Sequence, residues 1–301
     1  MIIRLISLLM LVYPSQAQQD DKKPPKLDLR NFDGTINGLS IADVNTLIPD
    51  KGIEDILLLD NQIDAIKLKS KNFIPTELIE DDIIIVTTNF GELKFELYHE
   101  NSPLNCSNFK KLSNSGFYDN TLFHNVVPKF IIQGGDILTR NHNPEDDGQG
   151  GPGWTINAEF NDLEHKRGTL SMVRTSNDPN SAGSQFFISL SDNQNLDNKY
   201  TIIGQLIEGD NILSRIVKIP SENTQAKLLC RVSIPEGEDE GNWIKFKDPI
   251  SKNIIYSKVP LTENKISYTE KLEKMLSNLY RPGIPIIVES IRVVDEKDIP
   301  K

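Results

Sequence analysis

The residues best equipped for chemistry crowd into one stretch, Phe123-His124-Asn125-Val126-Val127-Pro128-Lys129-Phe130-Ile131-Ile132-Gln133-Gly134-Gly135-Asp136. It packs apolar residues, a glutamine and a Gly-Gly turn into fourteen positions. The amides of Asn125 and Gln133 can donate hydrogen bonds without carrying charge. Other chemistries find less support. Two cysteines, Cys106 and Cys230, and four scattered histidines, His99, His124, His142 and His165, leave no zinc-ligand spacing. Ser184 is not in a G-x-S-x-G elbow. Gly148-Gln149-Gly150-Gly151-Pro152-Gly153 fits G-x-G-x-x-G, but Pro152 lacks an N–H and a strand is predicted to follow, so it reads as a surface loop. Asn143 to Asp147 is acidic without EF-hand spacing. No metal and no cofactor is expected.

Short strands must position this stretch. Ile83-Ile84-Ile85-Val86 is a buried-strand run, Asn89-Phe90-Gly91 a turn, and Leu93, Phe95 and Leu97 alternate with Glu92, Lys94 and Glu96, which predicts an antiparallel hairpin with one wet face. Ser102 is placed as an N-cap with Pro103 first in a helix that runs to about Asn114 and stops at Gly116. Further strands are predicted over Phe130–Gln133, Thr155–Glu159, Thr169–Met172, Gln185–Ser189, Thr201–Gly204 and Ile284–Val294. Asp210 is expected to cap a second helix from Asn211 to about Val217. Many short strands with few helices predict a mainly β sandwich or barrel. Earlier in the chain, Ile56–Leu59, Asp60–Gln62 and Ile63–Leu68 read as strand, turn and strand.

The net charge of -10, with no basic stripe along the sequence, argues against a nucleic-acid partner, because binding needs clustered Lys and Arg to replace counterions. Arg4, the apolar run Leu5–Tyr13 and the small residues of Ser15-Gln16-Ala17 form a signal-peptide pattern with cleavage expected after Ala17. The run is too short to span a bilayer. The mature protein is therefore expected to be exported, periplasmic or secreted, with no stable membrane span. An exported chain could pair Cys106 with Cys230; the alternative for Cys106, which shares a helical face with Phe109 and Leu112, is a small core residue.

Four blocks carry a resemblance to a known family. They are Phe117-Tyr118-Asp119-Asn120 leading into Phe123-His124, then Phe130 to Asp136, then Ser171-Met172-Val173-Arg174-Thr175, then Asn180-Ser181-Ala182-Gly183-Ser184-Gln185-Phe186-Phe187-Ile188. Leu196-Asp197-Asn198-Lys199-Tyr200-Thr201-Ile202-Ile203-Gly204 is a weaker fifth. In order and spacing they resemble the cyclophilins, peptidyl-prolyl cis-trans isomerases, and Gly150 to Trp154 with Ala158-Glu159-Phe160 resemble the bacterial exported branch. The resemblance implies an eight-stranded closed antiparallel barrel capped by two helices, acting on proline-containing polypeptides. It implies a proline pocket of Phe130, Ile131, Phe187 and Leu196. It also implies that Gln133 contacts the substrate backbone. Val173 and Arg174 would line the peptide-pairing strand with Gln185 nearby, Tyr200 would cover the ring, and His124 would complete the binding set. Asn125 stands where the family usually has the arginine that donates to the prolyl nitrogen, and Arg174 is a candidate replacement guanidinium. Asn195 stands where many members have tryptophan, which implies weak or no binding of cyclosporin-type macrocycles.

The resemblance covers residues 81–220 and resumes over 282–296. Residues 1–17 are then the signal peptide, 18–80 a leader and N-terminal extension, and 221–281 an insertion. Within the insertion Tyr268–Tyr280 places Leu272, Met275, Leu276 and Leu279 at helical spacing, and Trp243, Phe246 and Tyr256 are expected to help pack it. Two functions remain open: an isomerase of reduced activity that assists folding of exported proteins, and a non-catalytic proline-peptide binding module or chaperone.

Overall fold

A computed structural model of the chain describes residues 35–36, 39–40 and 53–299. The expected signal peptide, residues 1–17, and the polar stretch after it lie outside the described residues. Strands β1 (Thr35–Ile36) and β2 (Leu39–Ser40) pair antiparallel. Two compact units follow: one comprises Lys51–Val217 with Pro285–Lys301, and the other includes Lys218–Ile284.

The first unit holds β3 (Asp82–Thr88), β4 (Gly91–Leu97), β5 (Thr121–Phe123), β6 (Asn125–Val127), β7 (Ile131–Gly134), β8 (Thr169–Met172), β9 (Phe186–Ser189) and β10 (Ile202–Glu208). The second holds β11 (Cys230–Arg231), β12 (Trp243–Lys247) and β13 (Ile254–Lys258), and the chain returns to the first with β14 (Ile286–Asp295). The first unit's sheet has nine strands in the order β5-β14-β3-β4-β10-β8-β9-β7-β6, all antiparallel. The count of nine, against eight expected, has a local cause. β5 and β6 stand at the two ends of that order yet are separated in sequence by His124 alone, so one bent segment is counted twice as it closes the barrel. Directly opposed residues share a face. Val126, Ile132, Ile188 and Leu170 form one such row and are all buried, which places them in the barrel core.

Helix α1 (Asp60–Asn72) replaces the strand–turn–strand expected there. Ile63, Ile66, Lys67 and Ser70 turn inward at the helical i, i+3, i+4, i+7 spacing, while Leu68, which suggested a strand, is 61 % exposed. Helix α2 (Pro103–Ser115) begins after Ser102 and ends at Gly116 in the left-handed conformation, φ 82°. The Ser102 hydroxyl does not cap it, donating instead to the Ile202 carbonyl at 2.6 Å. The carboxylate of Glu159 accepts from the N–H groups of Leu104 and Asn105 at 3.0 and 2.9 Å and serves the helix end. That use of Glu159 belongs to a segment with no strand over 155–159. Only Ile156 bridges to Ala182, and the N–H groups of Ala158 and Glu159 go to the side chains of Asn180 and Thr201 instead of a ladder. Helix α3 (Asp210–Ile216) has Gly209 as its N-cap, with Asp210 inside the first turn and bonded to Arg167.

In the second unit β11, β13 and β12 form a three-stranded antiparallel sheet in that order. One face carries Ile244, Phe246, Ser257 and Ile255 and packs on α4 (Glu222–Leu228) and α5 (Lys265–Ser277) through Ala226, Tyr268, Leu272 and Leu276. Asn264 accepts from the N–H groups of Ile266 and Ser267 and fixes where α5 starts, three residues before the predicted Tyr268. Phe246 is buried on that face as expected; Trp243 is also buried, but by alternation it lies on the other side of the sheet, with Tyr256, which opposes Arg231 and Lys245. Both cysteines are free thiols, and Cys106 is a buried core residue.

Candidate functional site

A second row crosses β6, β7, β9 and β8 on the face opposite the core row: Asn125 opposes Gln133, Gln133 opposes Phe187, and Phe187 opposes Ser171. The ladder therefore sets two amides beside an aromatic ring. Asn125 Nδ2 donates to Gln133 Oε1 at 3.2 Å, and Gln133 Nε2 donates to Gln185 Oε1 at 2.9 Å. Gln185 Nε2 donates in turn to the carbonyls of Gly148 and Gly150, at 2.9 and 2.8 Å. This loop is itself pinned. The fully buried carboxylate of Asp136 accepts from the N–H groups of Leu138, Gly148 and Gly150. A Cβ at Gly150 would fall 2.0 Å from Asp136 Oδ1, and one at Gly135, which has φ +82°, 2.5 Å from the Ser184 carbonyl, so the Gly-Gly and loop glycines permit the close approach.

The apolar members lie around Phe187. Phe187 and Leu196 are buried, Ile131 is half-buried, and Phe130 sits in the β6–β7 turn, 37 % exposed. The Tyr200 ring meets Phe187 edge-on at 5.3 Å. Val173 N–H donates to the Gln185 carbonyl at 2.9 Å, and a groove of about 670 Å³ opens beside these two residues against the 148–155 loop. His124 is buried between β5 and β6. Arg174, the candidate replacement guanidinium, already has partners. Its guanidinium donates to the carbonyls of Lys199 and Thr175, at 2.6 and 2.8 Å, and lies 5.0 Å over the Tyr200 ring.

The sequence matches the family model described as cyclophilin type peptidyl-prolyl cis-trans isomerase/CLD over residues 83–236, just over half of the chain. The chain belongs to the cyclophilin family. A peptidyl-prolyl cis-trans isomerase of Arabidopsis thaliana is 39% identical over 150 residues, 48% of this chain and 86% of the relative. One from Acinetobacter baylyi is 36% identical over 153 residues, 49% of this chain and 78% of the relative. A Mus musculus relative named "Probable inactive peptidyl-prolyl cis-trans isomerase-like 6" is 40% identical over 163 residues, 50% of each chain.

This cyclophilin also builds a support behind its aromatic pocket that the motif reading passed over. His165 stacks on Phe187, with ring centroids 5.9 Å apart and planes 12° from parallel. His165 Nδ1 meets Asp197 Oδ1 at 2.8 Å, and Nε2 meets the Ser171 hydroxyl at 3.1 Å. Burial holds the His165 imidazole below its ordinary pKa, although Asp197 pulls the other way, so the ring is neutral at pH 7. Burial works to raise the pKa of Asp197, but the N–H groups of His165 outweigh it and hold the carboxyl below its usual range. Asp197 follows Leu196 directly, so the same contacts tie the Leu196 segment to Phe187. The isolated histidine gave no spacing signal; its partners come from segments 6 and 32 residues away. Asp136 was visible within the motif, but only the folded loop shows that it anchors Gln185.

Proposed function

We propose that this chain isomerises X-Pro bonds in polypeptides, at a rate reduced by Asn125. The observation that carries this is the row Asn125–Gln133–Phe187 with Gln185 bonded to Gln133: an aromatic pocket beside oriented amide donors. The X-Pro amide resists rotation because resonance keeps it planar, a barrier of about 18–20 kcal/mol. A catalyst must bind the twisted amide better than either planar form and withdraw the nitrogen lone pair. Phe130, Ile131, Phe187 and Leu196 would anchor the pyrrolidine ring and Tyr200 cover it, while Gln133 holds the acyl side and Val173, Arg174 and Gln185 line the peptide. His124 would complete the binding set.

Asn125 supplies a neutral, short donor, and one of its N–H groups is already committed to Gln133. A charged hydrogen bond contributes about 1.5–3 kcal/mol against roughly 1 kcal/mol for a neutral one. Losing about 1–2 kcal/mol of transition-state stabilisation slows the step roughly 5- to 30-fold. The test is isomerisation of a proline peptide by wild type and by Asn125→Arg. The variant is expected to be faster by about that factor. A silent wild type with an active variant would favour the second reading, a proline-peptide binding module, which the commitment of Asn125 to Gln133 and the mouse relative's name both support.

The signal-peptide pattern before Gln18 supports export, and exported proteins as the folding substrates. Purification from the exported fraction should give a chain beginning at Gln18; an intact Met1 there would refute cleavage. Asn195 is exposed and offers no indole, which supports weak cyclosporin binding. A titration showing sub-micromolar affinity would refute it.

A further inference from the structure

The second unit's sheet assembles a basic face that is invisible along the sequence. Opposed residues share a face, so Arg231, Tyr256 and Lys245 form one row across β11, β13 and β12. Lys247 stands opposite Ile254 in the next row on the same side. The buried face of this sheet lies on the helices, so these side chains face away from α4 and α5. Arg231, Lys245, Lys247 and Ile254 are exposed, and Tyr256 is half-buried. Lys258, opposite Trp243, is bound to Glu238 at 2.5 Å. Arg231, Lys245 and Lys247 have no carboxylate partner among the described residues. Three uncommitted cations on one small surface are notable in a chain of net charge -10.

The edge beside them is also open. Val259 N–H donates to the Asn242 carbonyl and Asp248 N–H to the Asn253 carbonyl, which marks 242/259 and 248/253 as hydrogen-bonded pairs. Alternation along an antiparallel ladder then aims the N–H and C=O groups of Trp243, Lys245 and Lys247 away from β13. The Trp243 N–H is taken by the Glu240 carbonyl, so the open stretch is that of Lys245 and Lys247. No other described strand pairs with β12. An added strand would bring its own alternate side chains to the face that carries Lys245 and Lys247. Their spacing, about 6.8 Å for two residues of extended chain, would match that of the lysines.

We propose that the Arg231–Tyr256–Lys245–Lys247 face with the β12 edge docks an extended acidic segment of a polypeptide, one with carboxylates at alternate positions. Backbone pairing would give the segment its register, and the three cations would select its charge. The site lies within the second unit and does not depend on the isomerase reading.

The test uses the full chain and a fluorescein-labelled octapeptide of alternating Glu and Val, free of proline so that the barrel groove is not engaged. Its anisotropy should rise with the protein and fall with added salt, and a Gln-for-Glu peptide should bind about tenfold more weakly or worse. The combined Arg231→Glu, Lys245→Glu and Lys247→Glu variant should lose about tenfold or more of the affinity while isomerising a proline peptide at the wild-type rate. If that variant melts early, Lys245→Gln with Lys247→Gln replaces it, with a loss of about threefold expected. Undiminished binding by the variant, equal binding of the Gln peptide, or no binding at all overturns the proposal. In the no-binding case the edge lysines act only against strand-to-strand aggregation. Tighter binding of a single-stranded oligonucleotide or of phosphatidylserine vesicles in parallel titrations also overturns it.

Discussion

The barrel unit and the smaller three-stranded unit handle lysine in opposite ways. In the barrel unit Lys110 is buried, its ammonium bound to Asp82 at 2.6 Å and to the Glu77 carbonyl at 2.8 Å. In the smaller unit Lys245 and Lys247 stand on an exposed face with no carboxylate beside them. The polar rows differ likewise. Asn125, Gln133 and Gln185 are chained together and tied to the Asp136 loop, whereas Arg231, Tyr256 and Lys245 share a row with no hydrogen bond joining their side chains. The first arrangement fixes donors before a substrate arrives, as chemistry on one amide requires. The second leaves charges free to adapt, which suits recognition of a flexible partner by charge.

The sharpest way to break this contrast is to remove the partner of the buried cation. Asp82→Ala leaves Lys110 in place with only the Glu77 carbonyl, and the Ile79 N–H also loses its acceptor. Breaking one half of a buried pair costs about 3–5 kcal/mol. Urea denaturation followed by a barrel probe should show that loss, and Asp82→Leu combined with Lys110→Met should recover most of it. A loss below about 1 kcal/mol for the single variant would mean that the pair is not structurally coupled to the barrel.

A smaller effect should separate the barrel's neutral support from ordinary surface titration. His165 has a folded-state pKa below its unfolded value of about 6.5. Between those two values the unfolded chain binds more protons than the folded one, so stability rises with pH there and is lost on acidification below about pH 6.5. His165→Gln should flatten this part of the stability–pH curve relative to wild type. It should also change KM for a proline peptide, because Phe187 loses its stacked neighbour. An unchanged slope would show that the ring titrates alike in both states. Asp197 has the same sense in a lower window: its depressed pKa contributes stability that is likewise lost on acidification, as the carboxyl is protonated.

What could be read in the sequence follows the range of the interactions. The β3–β4 hairpin was legible because Leu93, Phe95 and Leu97 alternate with charges and pack inward, a local signal. The helix stop at Gly116 was legible for the same reason. Helix α1 was misread because Leu68 sits on its wet side, and only packing distinguishes it from Ile63. Asn125, Gln133, Phe187 and Gln185 were found through family motifs, and register brought them into one row. The partners of Arg174 were not legible, because its contact with the Lys199 carbonyl, 25 residues away, forms only in the folded chain. The basic face was missed because Arg231 and Lys245 are separated by an acidic loop, and only pairing through Tyr256 brings them together.

The smallest expected effect tests the other side of the comparison. Lys245→Ala with Lys247→Ala removes two exposed side chains that make no hydrogen bond or ion pair within the described residues. Substitutions of that kind change stability by no more than about 0.5 kcal/mol. The register of β12 should survive, because it is set by Ile244 and Phe246 packing on Tyr268 and Leu272 rather than by the lysines. A thermal melt of the double variant within a few degrees of wild type would therefore place these lysines outside the folding energetics. A melt that fell as far as that of Asp82→Ala would place them inside it, and the distinction between cations that hold a structure and cations that await a partner would fail.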